Sequence, residues 1–324
     1  MTIKKIHDEL FRIKIPLIGN PLGYLNVYLI RSSNRNLLID TGLGQTSCHR
    51  ALLEALRELE VEPSLCDIFI THHHVDHVGL VGDLVTGSNA LFIHEAGWKI
   101  LQDWDGFGYL MPFIEKNGFP PDLLEQFLDD EPINQLRFKW DIVPTFLCGG
   151  ESIEIGGYNL NVIPTPGHSP DHLCLYEPTH RILFAGDHIL MGVSPIVQCW
   201  NDNANPLHDY FRSLKETAQL SVSMVLPAHR ETMFDHLKRI DELLQHHRRR
   251  LRQILDLLSI KPKTAYQVAK EMTWHLKADA WENFPIEQRL FATSEVIAHM
   301  KFLEKYALLR TQIKEDLIYF NSRI

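Results

Sequence analysis

The sequence predicts an α/β layered sandwich followed by a small helical domain, and three observations carry that prediction. Three β-rich runs open the chain as a meander. Strand-like runs then alternate with amphipathic helical ones, which places helices outside a sheet core. Near residue 235 the chain changes character: residues 1–235 hold 16 Lys and Arg against 30 Asp and Glu, a net −14, and residues 236–324 hold 16 against 11, a net +5. Two parts with different surfaces follow, a domain at 1–234 and a second at 235–324.

From Ile3 to Ile15 and again from Tyr24 to Ile30, alternating and β-branched residues read as strands, separated by a Pro- and Gly-rich loop. A third strand, Leu37 to Ile39, ends in Asp40-Thr41-Gly42. Thr46 and Ser47 are placed to cap an amphipathic helix to Glu60, with Leu52, Leu53, Leu56 and Leu59 on one face and Pro63 beyond its end. Cys66 to Ile70 is the next strand, followed by a short helix near Val78 to Leu84 and a strand at Ala90 to Ile93. After a long irregular segment, strands return as a hairpin over Val143 to Ile163, turning at Gly156-Gly157, and a second hairpin turns near Glu177 to His180. A loop from Met191 to Pro206 and a helix from Leu207 to Leu220 lead to the strand before His229.

The loop leaving Cys66 to Ile70 is the most informative stretch. Thr71-His72-His73-His74-Val75-Asp76-His77-Val78-Gly79 places four histidines and a carboxylate within nine residues. Neutral imidazole and carboxylate suit zinc, iron or manganese without any thiolate. One metal takes three or four ligands and this segment offers up to five, so two metals are the economical reading. A turn can aim His72 and His74 at one ion while Asp76 and His77 come round to a second.

The pattern strongly resembles the T-H-x-H-x-D-H-x-G signature of the metallo-β-lactamase-fold hydrolases, an αββα sandwich. That family orders three further ligands downstream, and Pro166-Gly167-His168-Ser169, Ala185-Gly186-Asp187 and Pro227-Ala228-His229 resemble them in turn, each after an apolar run. A lone Gly-His or Gly-Asp is more often a turn; the order and the strand-end positions make the set specific. The resemblance implies His72, His74 and His168 on one metal, Asp76, His77 and His229 on the other, and Asp187 between them. It also implies that Asp40 supports the metal loop from behind the ligating histidines. His73 takes the variable place, and His188 is open between substrate contact and packing.

Residues from about 95 to 141 form an aromatic-rich insert broken by Gly and Pro. It either packs on the outside or forms a lid over the metals, with Phe107, Tyr109 and Phe113 as candidates for an apolar substrate wall and Trp200 as a pocket residue. The terminal part reads as helix, helix, helix, hairpin: Asp235 to Leu258, a short helix capped by Thr264, Glu287 to Tyr306, then two strands from Leu308 to Phe320. This order resembles the small winged-helix-like domain of one branch of the family. The basic run His246 to Arg250 invites a nucleic-acid reading, but +5 beside a −14 body opposes phosphate binding, so no specific DNA partner is expected and a packing or homodimer role is preferred.

Composition is that of an ordinary globular protein, 45% hydrophobic and 23% charged. No run approaches the roughly 18 apolar residues of a membrane span, and the first residues lack the apolar core of a signal peptide, so a cytoplasmic protein with no membrane partner is expected. Five cysteines with no C-x-x-C pair read as reduced thiols. The chemistry expected is hydrolysis: two divalent ions, zinc first and iron or manganese as alternatives, acidify a shared water to about pKa 7, and the bridging hydroxide, oriented by Asp76, attacks a small ester, thioester or lactone. RNA phosphodiester cleavage is the first alternative, and iron-dependent sulfur or oxygen chemistry the second.

Overall fold

The computed structural model describes residues 2–130, 138, 140–274 and 280–323; residues 131–137 and 139 of the aromatic insert lie outside them. In chain order the elements are β1 (Thr2–His7), β2 (Leu10–Pro16), β3 (Tyr24–Ile30), β4 (Asn36–Ile39), α1 (Thr46–Glu58), β5 (Cys66–Phe69), α2 (Val75–Val78), α3 (Val81–Leu84), β6 (Leu91–Ile93), α4 (Glu95–Gln102), α5 (Met111–Lys116) and α6 (Pro121–Asp130). They continue as β7 (Thr145–Phe146), β8 (Ser152–Ile155), β9 (Tyr158–Pro164), β10 (Leu173–Glu177), β11 (Ile182–Gly186), α7 (Pro206–Thr217), β12 (Met224–Pro227), α8 (His236–Ile260), α9 (Ala265–Glu271), α10 (Ile286–Lys305), β13 (Leu309–Lys314) and β14 (Leu317–Ser322). Two compact units result, one from Met1–Asp103, Phe138–Pro195 and Ser213–Ile240, the other from Trp104–Arg137, Ile196–Arg212 and Asp241–Ile324.

In the first unit β1 to β7 form one sheet in sequence order, antiparallel through β4 and parallel from β4 to β7. A second sheet runs β12-β11-β10-β9-β8, in which only β11 and β12 are parallel. The sheets face each other through one apolar core, Tyr28, Ile39 and Phe69 meeting Leu160, Val162, Leu175, Phe184 and Leu226. The Tyr28 and Phe184 rings meet edge-on at 5.5 Å. Burying each such side chain stabilises the fold by about 1.5–3 kcal/mol, so Phe184→Ala is the kind of change that loosens the sandwich. Helix α1 presents Cys48, Leu52 and Ala55, buried at helical spacing, toward the sheet.

Four elements differ from expectation. Ile3 to Ile15 is a hairpin, not one strand, because Glu9 turns the chain at φ 54° and its carboxylate is held by Arg31 Nε at 2.6 Å. Neither Thr46 nor Ser47 caps α1; Gln45 occupies that place without a side-chain bond. The helix expected near Val78 to Leu84 is two single turns, α2 and α3, parted at Gly79, where a Cβ would lie 2.3 Å from Gly44 N. The start of the hairpin expected over Val143 to Ile163 pairs with β6 as β7 instead of joining β8 and β9.

The second unit is built on aromatic packing. Phe107 meets Trp104, Phe127 and Trp200 at ring distances of 5.0, 5.4 and 5.9 Å. Thr264 caps α9 in a reciprocal box with Gln267, and β13 and β14 close the chain as a hairpin in continuous register. No described helix is long and apolar enough to cross a membrane.

Candidate metal centre

Parallel pairing of β4 with β5 and of β11 with β12 brings the C-terminal ends of each pair of strands to a common edge. Asp40 follows β4, His72 follows β5, Asp187 follows β11 and His229 follows β12, while the β9–β10 connection carries His168 and α2 carries Asp76 and His77. Nε2 of His72, Nδ1 of His74 and Nε2 of His168 lie 3.0–3.2 Å from one another. One N–H serves one edge of such a triangle well, so hydrogen bonding does not explain three nitrogens facing a common point. A tetrahedral zinc with nitrogens at about 2.0–2.1 Å has ligand edges of about 3.3 Å, which does explain it.

Beside this triangle stand Asp76, His77 and His229. His229 Nε2 is 3.2 Å from Asp76 Oδ2, and His77 Nε2 is 3.8 Å from Asp76 Oδ1. Asp187 Oδ2 sits 3.7 Å from His168 Nε2, 3.9 Å from His77 Nε2 and 3.7 Å from His229 Nε2, between the two groups. His77 Nε2, His229 Nε2 and Asp187 Oδ1 are buried with no hydrogen-bond partner among the described residues. Each such atom costs roughly 1–3 kcal/mol when unsatisfied. The donors therefore fit cations at two adjacent points.

The proton positions agree. His77 Nδ1 lies 2.8 Å from Asp40 Oδ2 and His229 Nδ1 lies 2.9 Å from the Tyr24 carbonyl, so each ring carries a proton on Nδ1 and turns Nε2 inward. Asp40 also accepts from the Thr71 amide and hydroxyl at 2.9 and 3.0 Å, tying the metal loop to the end of β4. Burial, reinforced by neighbouring imidazoles, drives His72 and His74 well below the ordinary histidine range and keeps their lone pairs free. Burial alone would do the same to His77, but Asp40, Asp76 and Asp187 outweigh it and raise that ring to about 10, so without a cation Nε2 also holds a proton, and a cation there would take that proton's place. Burial likewise opposes ionisation of Asp76, yet His77 and His229 hold its carboxyl well below the usual range. One group is thus neutral imidazole, the other carboxylate-rich.

Several positioning residues escaped the sequence reading. Asn26 Nδ2 donates to the carbonyls of Pro227 and Arg230, and the Tyr28 hydroxyl to Pro227, clamping the backbone on both sides of His229. Asp171 accepts from His73 through both its amide, at 2.8 Å, and Nδ1, at 2.7 Å, which accounts for the histidine at the variable place. His172 Nε2 accepts the Asp187 amide at 3.0 Å, its Nδ1 facing Thr165 Oγ1 at 2.7 Å. The second Asp-His just beyond Gly167-His168 was the available signal. Of the proposed substrate residues, His188 is fully buried with Nε2 on Thr217 Oγ1; Phe107 and Trp200 meet in the second unit, Phe113 is half-buried, and Tyr109 is exposed.

The Metallo-beta-lactamase superfamily model matches residues 20–232, a span that contains every residue of the site. The chain belongs to the metallo-beta-lactamase superfamily. Like the family it is a metal-dependent hydrolase. Among superfamily relatives, a probable metallo-hydrolase of Bacillus subtilis (strain 168), YqjP, is 26% identical, with 97% of this chain and 98% of that one covered. The Beta-lactamase-like protein 2 homolog of Caenorhabditis elegans is 23% identical, with 93% and 90% covered. The crystal structure of the metallo-beta-lactamase family protein TTHA1429 from Thermus thermophilus superposes with a TM-score of 0.83 at 28% identity, covering 98% of this chain and 100% of that one.

Proposed function

We propose that this superfamily member is a dinuclear zinc hydrolase of small esters, thioesters or lactones. The convergence of the orphaned His77 Nε2, His229 Nε2 and Asp187 Oδ1 beside the His72, His74, His168 triangle carries the reading. In it His72, His74 and His168 would hold one ion and Asp76, His77 and His229 the other, with Asp187 between the two groups. A donor set of imidazole and carboxylate without thiolate suits zinc. Cations held there would supply Lewis acidity, lowering the pKa of a water toward neutrality and withdrawing charge from a carbonyl.

The chain's own residues do the remainder. Ionised Asp76 accepts a hydrogen bond from the attacking water and orients it. Asp40 keeps the His77 proton on Nδ1, and His172 fixes the backbone at Asp187. Neither a serine nor a cysteine nucleophile is required. The net −14 of residues 1–235 favours a small substrate over polyanionic RNA. We assign His188, buried with Nε2 on Thr217 Oγ1, to packing within the first unit.

A panel of phenyl esters, acyl thioesters, γ-lactones and a single-stranded oligoribonucleotide, offered to zinc-reconstituted protein, tests this. Saturable turnover of an acyl class, lost in His168→Ala, is expected; RNA cleavage without acyl turnover overturns the reading. In a homologous acyl series each methylene buried on binding should gain about 0.8 kcal/mol, close to fourfold in kcat/KM.

A further inference from the structure

Three consecutive residues at the entry to β10 touch both halves of the metal centre. The Asp171 carboxylate is completely buried and accepts from the His73 amide and from His73 Nδ1. Two residues on, the Leu173 amide donates to the Thr71 carbonyl at 2.8 Å. His72 is therefore gripped on both sides through its chain neighbours, and His74 follows directly. His172 lies between the two grips and faces the other way: its Nε2 takes the Asp187 amide, and its ring centre stands 5.1 Å from that of His72.

Both contacts are close-fitted. A Cβ on Gly97 of α4 would lie 2.1 Å from Asp171 Oδ2, so α4 packs directly on the carboxylate. At the other end Gly186 has φ 47°, and a Cβ there would lie 2.6 Å from His172 Nε2; glycine is what lets β11 bring Asp187 this near. Thr165 Oγ1, 2.7 Å from His172 Nδ1, accepts the proton of that nitrogen and leaves Nε2 as the acceptor. A buried network whose donors and acceptors are matched in this way is rigid.

We infer that Asp171 and His172 are positioning residues that set the separation of the two cations. Asp171 fixes the loop bearing His72 and His74, His172 fixes the backbone of the carboxylate that lies between the two groups, and a single peptide bond joins them. Resting on the dinuclear reading above, this role differs from a ligand's: neither side chain faces a cation point, so its loss changes spacing before it changes occupancy.

Zinc X-ray absorption on the full chain at saturating zinc reads the spacing without any substrate, with bound metal counted by elemental analysis. Wild type should show a zinc–zinc vector of about 3.5–4 Å. In His172→Leu and in Asp171→Ala two equivalents should still bind, with that vector lengthened or lost and kcat on the esters turned over lowered roughly tenfold to 100-fold. His172→Gln, whose amide oxygen can accept the Asp187 amide, should restore the vector. Where neither His172→Leu nor Asp171→Ala folds, Thr165→Val decides, because it keeps the ring and frees its tautomer: a weakened vector supports the role and an unchanged one overturns it. A wild-type vector that persists in His172→Leu and Asp171→Ala, with only Tm lowered, overturns it too, as does loss of a whole equivalent in either. One equivalent in wild type would instead sink the dinuclear reading, and this role with it.

Discussion

Two buried histidine clusters, one in each unit, look alike as collections of side chains and differ in where their positive charge comes from. In the second unit His246, His247 and Glu295 place ligand-type atoms within 4.8 Å of one another, as the metal-facing groups do. There, however, Arg250 Nε sits 3.2 Å from both His246 Nε2 and Glu295 Oε1, and its guanidinium lies 4.2 Å from the Trp274 ring centre. His299 gives its Nδ1 proton to the Glu295 carbonyl at 2.7 Å and so accepts from His247 Nδ1 at 3.1 Å. One lone pair, at His247 Nε2, stays without a partner among the described residues, and one nitrogen is not a coordination shell. In the first unit no Lys or Arg of the described residues pairs with Asp76 or Asp187. Proximity of ligand-type residues does not make a metal site; uncompensated carboxylate charge facing free lone pairs does.

The largest expected contrast is between His168→Ala and His247→Ala. The first should lose about one metal equivalent and lower hydrolysis on the order of 10³-fold; the second should keep the wild-type metal content, as elemental analysis would show. Next, Arg250→Ala leaves the Glu295 carboxylate buried without its cation and should cost about 3 kcal/mol in urea unfolding. Most of that should return in Arg250→Met with Glu295→Leu. If the comparison is sound, added zinc should also raise the Tm of Arg250→Ala more than that of wild type, because the guanidinium no longer fills the cluster. Asp40→Asn should weaken metal affinity about 10-fold to 100-fold while leaving saturating stoichiometry unchanged. The smallest effect belongs to Thr264→Ala, which removes the α9 cap for about 1 kcal/mol and leaves metal content alone.

The metal-facing residues were legible because ligands must be His or Asp at strand ends, and a cluster such as His72 to His77 has few other uses. The residues that aim them were not. Asn26, Tyr28, Asp171 and His172 act through backbone groups distant in sequence, and nothing local distinguishes them from ordinary strand or turn residues. The positions of most strands followed from alternation, whereas the turn at Glu9 and the break at Gly79 depend on Arg31 and Gly44, contacts that only the assembled fold supplies. The grouping of residues 104–130 with 241–274 was likewise invisible, since Phe119 finds its partner Tyr266 across a long stretch of chain.

The proposed hydrolase would hold two cations on one set of seven side chains. Titrating metal-stripped protein with zinc by calorimetry, with bound metal counted by elemental analysis, tests it most directly. Two equivalents are expected in wild type and one in His168→Ala. A single tight equivalent in metal-replete wild type would contradict it.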